Sequence, residues 1–330
     1  TEAHPELRPR IEAMAARLRP TVERFVDEYA INVLVPQNAL AIPMHVPLGL
    51  AITDVIAERG IPTVAHNHDF YWERERFDIN CIPDLLARTF PPVLPSVQHW
   101  VINTPAQQSL LRRLGVESTL LPNIFDFAGA APGITDFSRD LRAALGLTDA
   151  HLIILQPTRV IPRKGFELSI VLVDALRRPT FRDRLQGMEP EWVITHHAGD
   201  EGLDYLHRLQ AQAAELDVPL LYVADRFAPE AGEIDGRKTY ALWDAYVHAD
   251  FVAYPSLVEG FGNALVETIY FRLPALVNRY EIYVADLAPK GFDLVEIDGQ
   301  ITEGTVEETI RALMDPVRRR RMVEHNYEVA

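Results

Sequence analysis

Amphipathic segments with helical spacing alternate with short apolar runs along the first 121 residues of the chain. The predicted helices cover residues 7–30, 46–58 and 105–114. The predicted strands cover residues 31–35, 62–65, 97–102 and 118–121. The first of these strands is apolar except for Asn32 and is therefore predicted to be mostly buried. Such an alternation predicts a parallel sheet with crossover helices.

A second series of the same kind follows a segment, residues 123–137, that contains glycine and proline and has no hydrophobic period. Its predicted helices cover residues 138–145, 166–177, 203–216, 240–248 and 263–272, and two more begin at Thr305 and Pro316. Its predicted strands cover residues 151–156, 192–195, 220–223, 251–254 and 275–278. The predicted fold class is α/β with two Rossmann-like domains, residues 1–137 and 138–330, and residues 123–137 form the linker.

Residues 255–267 combine the end of a strand, a glycine turn and the start of a helix. Gly260 and Gly262 loosen the backbone, and a helix start offers unpaired N–H groups and a positive dipole end, which suit a phosphate. Glu259 and Glu267 bracket the turn; because carboxylates repel phosphate, they suit sugar hydroxyls instead. The combination predicts a nucleotide sugar, and the alternative is an ordinary helix cap with a buried glutamate.

The loop after the strand at 151–156 carries Arg159 and Lys164, and Gly165 lets the next helix begin close by. Open parallel sheets bind ligands at the carboxyl ends of their strands. Positive charge at this point would stabilise the nucleoside diphosphate that departs when a glycosyl group is transferred. The alternative is a solvated basic loop, which is the interpretation we favour for Arg163.

Residues 259–267 resemble the E-x7-E motif, in the form E-G-F-G-x4-E, of the retaining glycosyltransferases called glycosyl transferases group 1 (GT4-like). Residues 159–165 resemble the R-x4-K-G loop of the same family. The resemblance implies the GT-B fold, in which two Rossmann-like domains face a cleft. It further implies retaining transfer of a hexose from a nucleoside-diphosphate sugar to a hydroxyl acceptor, with no metal or other cofactor.

The resemblance also implies roles for individual residues. Arg159 and Lys164 would bind the diphosphate, Glu259 would contact the donor sugar, and Glu267 would contact the ribose. The loop residues implied to hold the donor are Gly260, Phe261, Gly262, Asn263, Ala264 and Leu265.

A third group of polar residues follows the predicted strand at 62–65 in the first domain. The family carries a histidine near this point that contacts the donor sugar; His68 sits at the matching position, and His66 is the second choice. Asp69 and Asn38 are weaker candidates for contact with the acceptor. A structural histidine is the alternative for His68. A metal site at these side chains is not expected, because no distant ligand stands out.

The chain departs from the family at two places after the second glutamate. Arg272 stands where the family commonly has a helix-ending glycine, and residues 278–282 lack the usual Gly-Gly turn near the sugar. The sugar and the nucleotide base are therefore left open. We also expect the chain to lack the first strands of its first domain and to end within a helix.

Composition narrows the class of protein. With 48% hydrophobic and 24% charged residues among 330, the chain can bury a sizeable core. The net charge of -15 argues against a nucleic-acid partner, which requires a basic surface. The single cysteine, Cys81, cannot form an intrachain disulfide. His196 and His197, after the strand at 192–195, are interpreted as part of a loop at the rim.

The longest apolar region, residues 31–56, is interrupted by polar residues and prolines, so no membrane span is predicted, although peripheral membrane contact is compatible with the sequence. The N-terminus has no signal-peptide pattern, and we expect a cytoplasmic enzyme. Two alternatives stay open. A GT-B nucleotide-sugar epimerase should carry more acid and base groups in its first domain. A non-catalytic sugar-binding protein would not need paired cations beside a helix start.

Overall fold

The computed structural model describes residues 4–77, 79–199 and 202–330. It divides the chain into two units, which meet between Asn123 and Ile124. The boundary predicted from the sequence lies at residue 137, and the segment predicted as a linker, residues 123–137, falls almost entirely in the second unit.

Aromatic side chains hold this segment on the second unit. The Tyr270 hydroxyl donates to the Ala130 carbonyl at 3.1 Å, and the Tyr327 hydroxyl donates to the Phe127 carbonyl at 2.8 Å. The Phe127 ring also lies 5.2 Å from the Tyr327 ring. These contacts explain why a stretch without hydrophobic period is nevertheless part of a folded unit.

The described residues of the first unit include a parallel sheet and four α-helices. In chain order its elements are α1 (Leu7–Glu28), α2 (Val46–Arg59), β1 (Thr63–Asn67), α3 (Pro83–Thr89), β2 (Val97–Val101), α4 (Thr104–Leu114) and β3 (Ser118–Leu120). The strands lie in the order β1-β2-β3. Apart from α3, these helices and strands match the sequence prediction to within a few residues. Gly60 ends α2 in the left-handed conformation, as its position predicts.

The prediction of a mostly buried strand at 31–35 is wrong. Only two isolated parallel bridges form beside β1, between Leu34 and Thr63 and between Gln37 and His66. Val33 and Val35 are 52% and 49% exposed. Because the segment lies at the outer edge of the described sheet, apolar character alone did not place it in the core.

The second unit contains the larger sheet. In chain order its elements are α5 (Leu141–Ala144), β4 (His151–Gln156), α6 (Phe166–Arg177), α7 (Pro179–Arg182), β5 (Glu189–Ile194), α8 (Asp204–Glu215), β6 (Leu220–Tyr222), β7 (Phe227–Ala228), β8 (Gly232–Ile234), β9 (Arg237–Ala241), α9 (Leu242–His248), β10 (Phe251–Tyr254), α10 (Asn263–Tyr270), β11 (Ala275–Asn278), β12 (Val295–Ile297), α11 (Glu303–Met314) and α12 (Pro316–Val329).

Six of these strands form one parallel sheet in the order β12-β11-β10-β4-β5-β6. This is the doubly wound order, and the winding reverses between β4 and β10. All residues of β10 and β11 are buried, as expected for parallel strands covered on both faces. Ligands in such folds bind at the carboxyl ends of the strands beside the point of reversal.

A small separate sheet, β7-β9-β8, was not predicted. Tyr240 was assigned to a helix at 240–248, but it lies in β9, pairs with Phe227, and its hydroxyl donates to Asp140 Oδ1 at 3.1 Å. The helix α9 therefore begins two residues later, at Leu242. Pairing with a distant segment decided this boundary, and the local pattern did not contain that information.

Arg272, which stands where the family commonly has a helix-ending glycine, adopts the conformation of that glycine. It adopts φ of 51°, the left-handed conformation for which a glycine is the usual choice. Its guanidinium lies 3.6 Å from the centre of the Tyr327 ring in α12, and Nε lies 3.4 Å from Glu324. These contacts offset the backbone strain and fasten α12 to the end of α10.

In the described part of the chain, no helix combines the length and the apolar character that crossing a membrane requires.

The loops that follow β4 and β10 come into close contact at Gly165. This residue has φ of 64°, and a Cβ atom there would lie 2.3 Å from the Pro255 carbonyl oxygen. Only glycine satisfies both the backbone conformation and the contact. The two loops on either side of the point of reversal are therefore held against each other.

We expect Gly165→Ala to lower the free energy of unfolding by more than Gly146→Ala. Gly146 also has a positive φ, 77°, but a Cβ there would meet no atom within 4 Å. The control should lose about 1–2 kcal/mol through backbone strain alone. Gly165→Ala should lose about 1–3 kcal/mol more through overpacking. Urea denaturation of both variants measures the difference, and equal losses would contradict the importance of the contact.

Candidate active site

Lys164 and Glu259 form a buried ion pair at the point where the winding of the sheet reverses. Lys164 follows β4 and its ammonium donates to Glu259 Oε1, which follows β10. The two side chains are only 11% and 7% exposed. Glu259 Oε1 also accepts from the Tyr254 hydroxyl at 2.6 Å. The cation predicted for the diphosphate and the carboxylate predicted for the sugar therefore lie together beside the glycine turn.

Burial and ion pairing act in opposite directions on the pKa of each residue of the pair. Burial alone would raise the pKa of Glu259, but the Lys164 charge and the hydrogen bonds from Lys164 and Tyr254 lower it overall. Burial lowers the pKa of Lys164, and Glu259 opposes that change. The Glu259 carboxyl is therefore ionised at neutral pH.

A short turn, Pro162–Lys164, holds the lysine in place. The Lys164 carbonyl accepts from Gln156 Nε2 at 3.2 Å, and Gln156 Oε1 accepts from the Ser169 hydroxyl at 2.7 Å. All of these side chains are buried. The last residue of β4 and the first turn of α6 thus fix the backbone that carries Lys164.

The interpretation of Arg163 as a solvated residue is wrong. Its Nη1 donates to the Val258 carbonyl at 2.9 Å and lies 3.2 Å from Glu259 Oε2. Its own carbonyl accepts from the Leu257 N–H at 2.8 Å. Arg163 therefore joins the two loops, which is a role that residue type and spacing alone did not reveal.

Arg159 and His196 lie near Lys164. Arg159 is exposed, and its positive charge helps to lower the pKa of Lys164 and of His196. Burial is the main reason why the pKa of His196 falls to about 4, and Lys164 adds to it. His196 is thus a neutral imidazole beside the cations. Its position after β5, the neighbour of β4, was the signal that could have assigned it to the site.

The glycine turn is held by the last residue of β11 and by a residue that follows this strand. The Tyr280 hydroxyl donates to the Phe261 carbonyl at 2.8 Å. Asn278 Nδ2 donates to the Ser256 carbonyl at 3.1 Å, while its Oδ1 accepts from the Gly299 N–H at 2.8 Å. The turn is therefore fixed from the adjacent strand.

The helix α10 begins directly after Gly262, which has φ of 121°. Asn263, Ala264 and Leu265 form its first turn, but the Leu265 side chain is buried, so only its backbone can face a ligand. Glu267 lies one turn further on, and its Oε2 accepts from the Tyr246 hydroxyl at 2.7 Å. Burial raises the pKa of Glu267, and this hydrogen bond opposes the rise.

In the first unit, His66 and His68 share one partner. Gln37 Oε1 lies 2.8 Å from His66 Nδ1 and 3.3 Å from His68 Nε2. The two imidazole rings are 4.7 Å apart. Burial and the neighbouring His66 lower the pKa of His68, with Asp69 opposing. Both histidines thus belong to one polar cluster at the carboxyl end of β1.

Asn38 and Asp69 connect this cluster to its surroundings. Asn38 Nδ2 donates to Asp69 Oδ1 at 2.7 Å, and Asn38 Oδ1 accepts from the His68 N–H at 2.9 Å. Arg74 forms an ion pair with Asp69 Oδ2. Both Asp69 oxygens therefore already accept hydrogen bonds. Among the described residues, no three His, Cys, Asp or Glu side chains are grouped in a way that could hold a metal ion.

Comparisons with known proteins identify sequence relatives that match most of the chain. No model of a known protein family matches the chain. The chain is 33% identical over 319 residues to mannosylglucosylglycerate synthase of Thermotoga maritima, a match that covers 90% of this chain and 72% of the relative. It is 32% identical over 281 residues to the protein of the same name from Petrotoga mobilis, covering 81% of this chain and 64% of the relative.

Solved structures of glycosyltransferases share the fold of this chain. Sucrose-phosphate synthase from Thermosynechococcus elongatus gives a TM-score of 0.67 at 15% identity, covering 98% of this chain and 74% of that one. Anabaena HepE in complex with UDP-glucose gives 0.64 at 14% identity, covering 94% and 76%. The fold is that of a GT-B glycosyltransferase.

The chain belongs to the glycosyl transferases group 1 (GT4-like) family, and it is a hexosyltransferase. The predicted fold class, family and kind of enzyme are confirmed. The roles of the individual site residues stay predictions.

The Lys164–Glu259 pair makes the stability of the protein depend on pH. The pKa of Glu259 is lower in the folded protein than its usual value of 4.5. The stabilisation is therefore complete above that value and is lost as the pH falls through the folded pKa. We expect Glu259→Gln to lower the free energy of unfolding by about 3 kcal/mol at pH 7, because it leaves the Lys164 charge buried and unpaired. The difference from the unmodified protein should shrink under acid conditions.

The matched control is Glu324→Gln, which removes an exposed partner of Arg272. It should cost less than about 1 kcal/mol, as surface ion pairs do. Denaturant titrations at several pH values compare the two variants. A Glu259→Gln loss that equals the control, or that does not change with pH, would contradict the buried pair.

Proposed function

We propose that the chain is a retaining glycosyltransferase that moves a hexose from a nucleoside-diphosphate sugar to a hydroxyl acceptor. The observation that carries this proposal is the convergence of Lys164 and Glu259 beside the Gly260–Gly262 turn, at the carboxyl ends of β4 and β10. Doubly wound sheets bind nucleotides at this place. No metal or other cofactor is part of the proposal.

Arg159 and Lys164 are proposed to hold the diphosphate. When the bond between the sugar and the diphosphate breaks, negative charge grows on the departing oxygen. Cations already in position stabilise that charge without reorganisation during the reaction. The Glu259 partner keeps the Lys164 ammonium directed at the turn, where the main-chain N–H groups that begin α10 add further positive potential.

The two glutamates are proposed to recognise hydroxyls of the donor. An ionised carboxylate has about four acceptor positions, so Glu259 retains the capacity to accept from a sugar hydroxyl besides its protein partners. Glu267 accepts one hydrogen bond from Tyr246 through Oε2, and it is proposed to contact the ribose. A hydroxyl donor such as ribose suits either protonation state of this half-buried carboxyl.

His68 is proposed to contact the donor sugar, which is the role that the family resemblance implies for a histidine at this position. Its pKa is lowered, so the imidazole is neutral at pH 7. A neutral imidazole has one donor and one acceptor nitrogen, which lets it bind a sugar hydroxyl or exchange the acceptor proton. Asn38 and Asp69 hold the backbone and the surroundings of His68, and contact with the acceptor is the weaker part of this assignment.

The names of the relatives suggest which substrates to try. A mannosylglucosylglycerate synthase makes a compound in which a mannosyl group is joined to glucosylglycerate. We therefore propose a mannosyl nucleotide as the donor and glucosylglycerate as the acceptor. UDP-glucose is the comparison donor, since a GT-B structure with that ligand is among the neighbours. The cytoplasmic location predicted from the sequence belongs to the same proposal.

We expect Lys164→Ala to lower kcat/KM at least about 100-fold, the effect of removing one group that stabilises transition-state charge. The assay supplies GDP-mannose or UDP-glucose with glucosylglycerate and follows the nucleoside diphosphate and the glycosylated product. The control is Lys290→Ala, which removes an exposed lysine of the same unit. Activity of Lys164→Ala equal to that of the control would contradict the diphosphate site.

A retaining reaction gives a product whose new bond has the anomeric configuration of the donor. Proton NMR of the product reads this configuration from the coupling constant or the one-bond carbon–proton coupling of the new anomeric centre. An α-linked product from an α-linked donor is the expected outcome, and inversion would contradict the retaining part of the proposal while leaving the transferase assignment intact.

A further inference from the structure

Three buried tyrosine hydroxyls donate to successive acceptors along residues 259–267. They are Tyr254 to Glu259 at 2.6 Å, Tyr280 to the Phe261 carbonyl at 2.8 Å, and Tyr246 to Glu267 at 2.7 Å. Tyr254 and Tyr246 bind carboxylates of the motif, whereas Tyr280 binds the main chain between them. This last contact therefore acts on the shape of the turn.

Tyr280 is placed firmly enough to impose that shape. It follows β11, is 3% exposed, and its N–H donates to the Asn278 carbonyl at 2.9 Å. Its ring packs near those of Tyr254 and Tyr283, with centres 6.3 Å and 5.9 Å away. Burial raises the pKa of Tyr280, so the hydroxyl keeps its proton and stays a donor.

The geometry of the peptide bond transmits this contact to the next residue. The Phe261–Gly262 peptide is trans, so its C=O and N–H groups point in opposite directions within one plane. Tyr280 holds the carbonyl on the side of the protein interior. The Gly262 N–H must then point the other way. Within the part of the chain that the structure describes, this N–H donates to no acceptor.

We propose that Tyr280 is a positioning residue for the donor: by holding the Phe261 carbonyl, it directs the Gly262 N–H at a diphosphate oxygen of the bound nucleotide. The inference rests on the proposed function, because it needs a nucleoside diphosphate at this turn. It gives a role to the segment 278–282, where the family's usual glycine pair is replaced.

The lack of a side chain at position 262 also supports the role of Tyr280. A Cβ atom there would lie 2.5 Å from the Tyr280 hydroxyl oxygen, and φ is 121°. The hydroxyl thus occupies the space beside the turn and keeps the backbone of Gly262 close to it. A glycine is required on both grounds.

Tyr280→Phe tests the proposal, since it removes the hydroxyl and keeps the ring. The matched control is Tyr283→Phe, whose fully buried hydroxyl donates to Glu296 at 2.6 Å, away from the turn. Both variants lose one buried hydrogen bond, so their melting temperatures should fall by similar amounts. Isothermal titration with UDP and with GDP then measures binding to each variant and to the unmodified protein.

We expect Tyr280→Phe to bind the tighter of the two nucleotides about tenfold more weakly, the effect of misplacing one donor. Tyr283→Phe should stay within about twofold of the unmodified protein, since its loss is structural only. Equal affinities of the two variants would overturn the role of Tyr280 and leave the proposed function standing. If the unmodified protein binds neither nucleotide, the proposed function and this inference both fail.

A spectroscopic measurement reports on the N–H itself. Phe261–Gly262 is the one Phe-Gly pair in the sequence, so carbonyl-13C phenylalanine with 15N glycine selects a single amide resonance. That resonance should shift when the nucleotide is added to the unmodified protein, and should shift less in Tyr280→Phe at saturation. A resonance that does not respond to bound nucleotide would overturn the proposal even if affinities differ.

Discussion

The buried ion pair between Lys164 and Glu259 is the interaction on which the rest of the site depends. The two residues are 95 positions apart, yet they follow neighbouring strands of one sheet. Exposed pairs of this kind contribute little, but here water is largely excluded and each charge needs the other. Gly165 allows the loops to touch, and Arg163 closes them from the outside. The ion pair and the close contact at Gly165 therefore both lie at the carboxyl ends of β4 and β10, where doubly wound sheets bind their ligands.

Five of the six strands of the large sheet, all except β12, and the glycine turn could be predicted from the sequence, because the information for them is local. Residues 151–156, 251–254 and 275–278 each contain a continuous apolar run, and each is a strand with those bounds. Such runs are typical of strands covered on both faces. The motif at 259–267 likewise carries its glycines and acids at fixed spacing.

What could not be predicted depends on partners that are distant in sequence. The apolar segment 31–35 lies at a sheet edge with two isolated bridges, and Tyr240 leaves its expected helix to pair with Phe227. The contacts of Arg163 across the loops had no sequence pattern of their own. Tyr280 was noted only as a departure from the family. In each case a long-range contact, and not the local residue type, decided the outcome.

The contact between Tyr280 and Gly262 has an evolutionary consequence. As long as the hydroxyl occupies the space beside the turn, almost any side chain gained at position 262 collides with it. Replacement of the tyrosine would remove this collision but not the strain of the positive φ, so a side chain at position 262 requires a change in the backbone of the turn as well. Position 262 is thus constrained by its neighbour as well as by its own backbone, and neither position can be interpreted alone when the diversification of this glycine turn is traced.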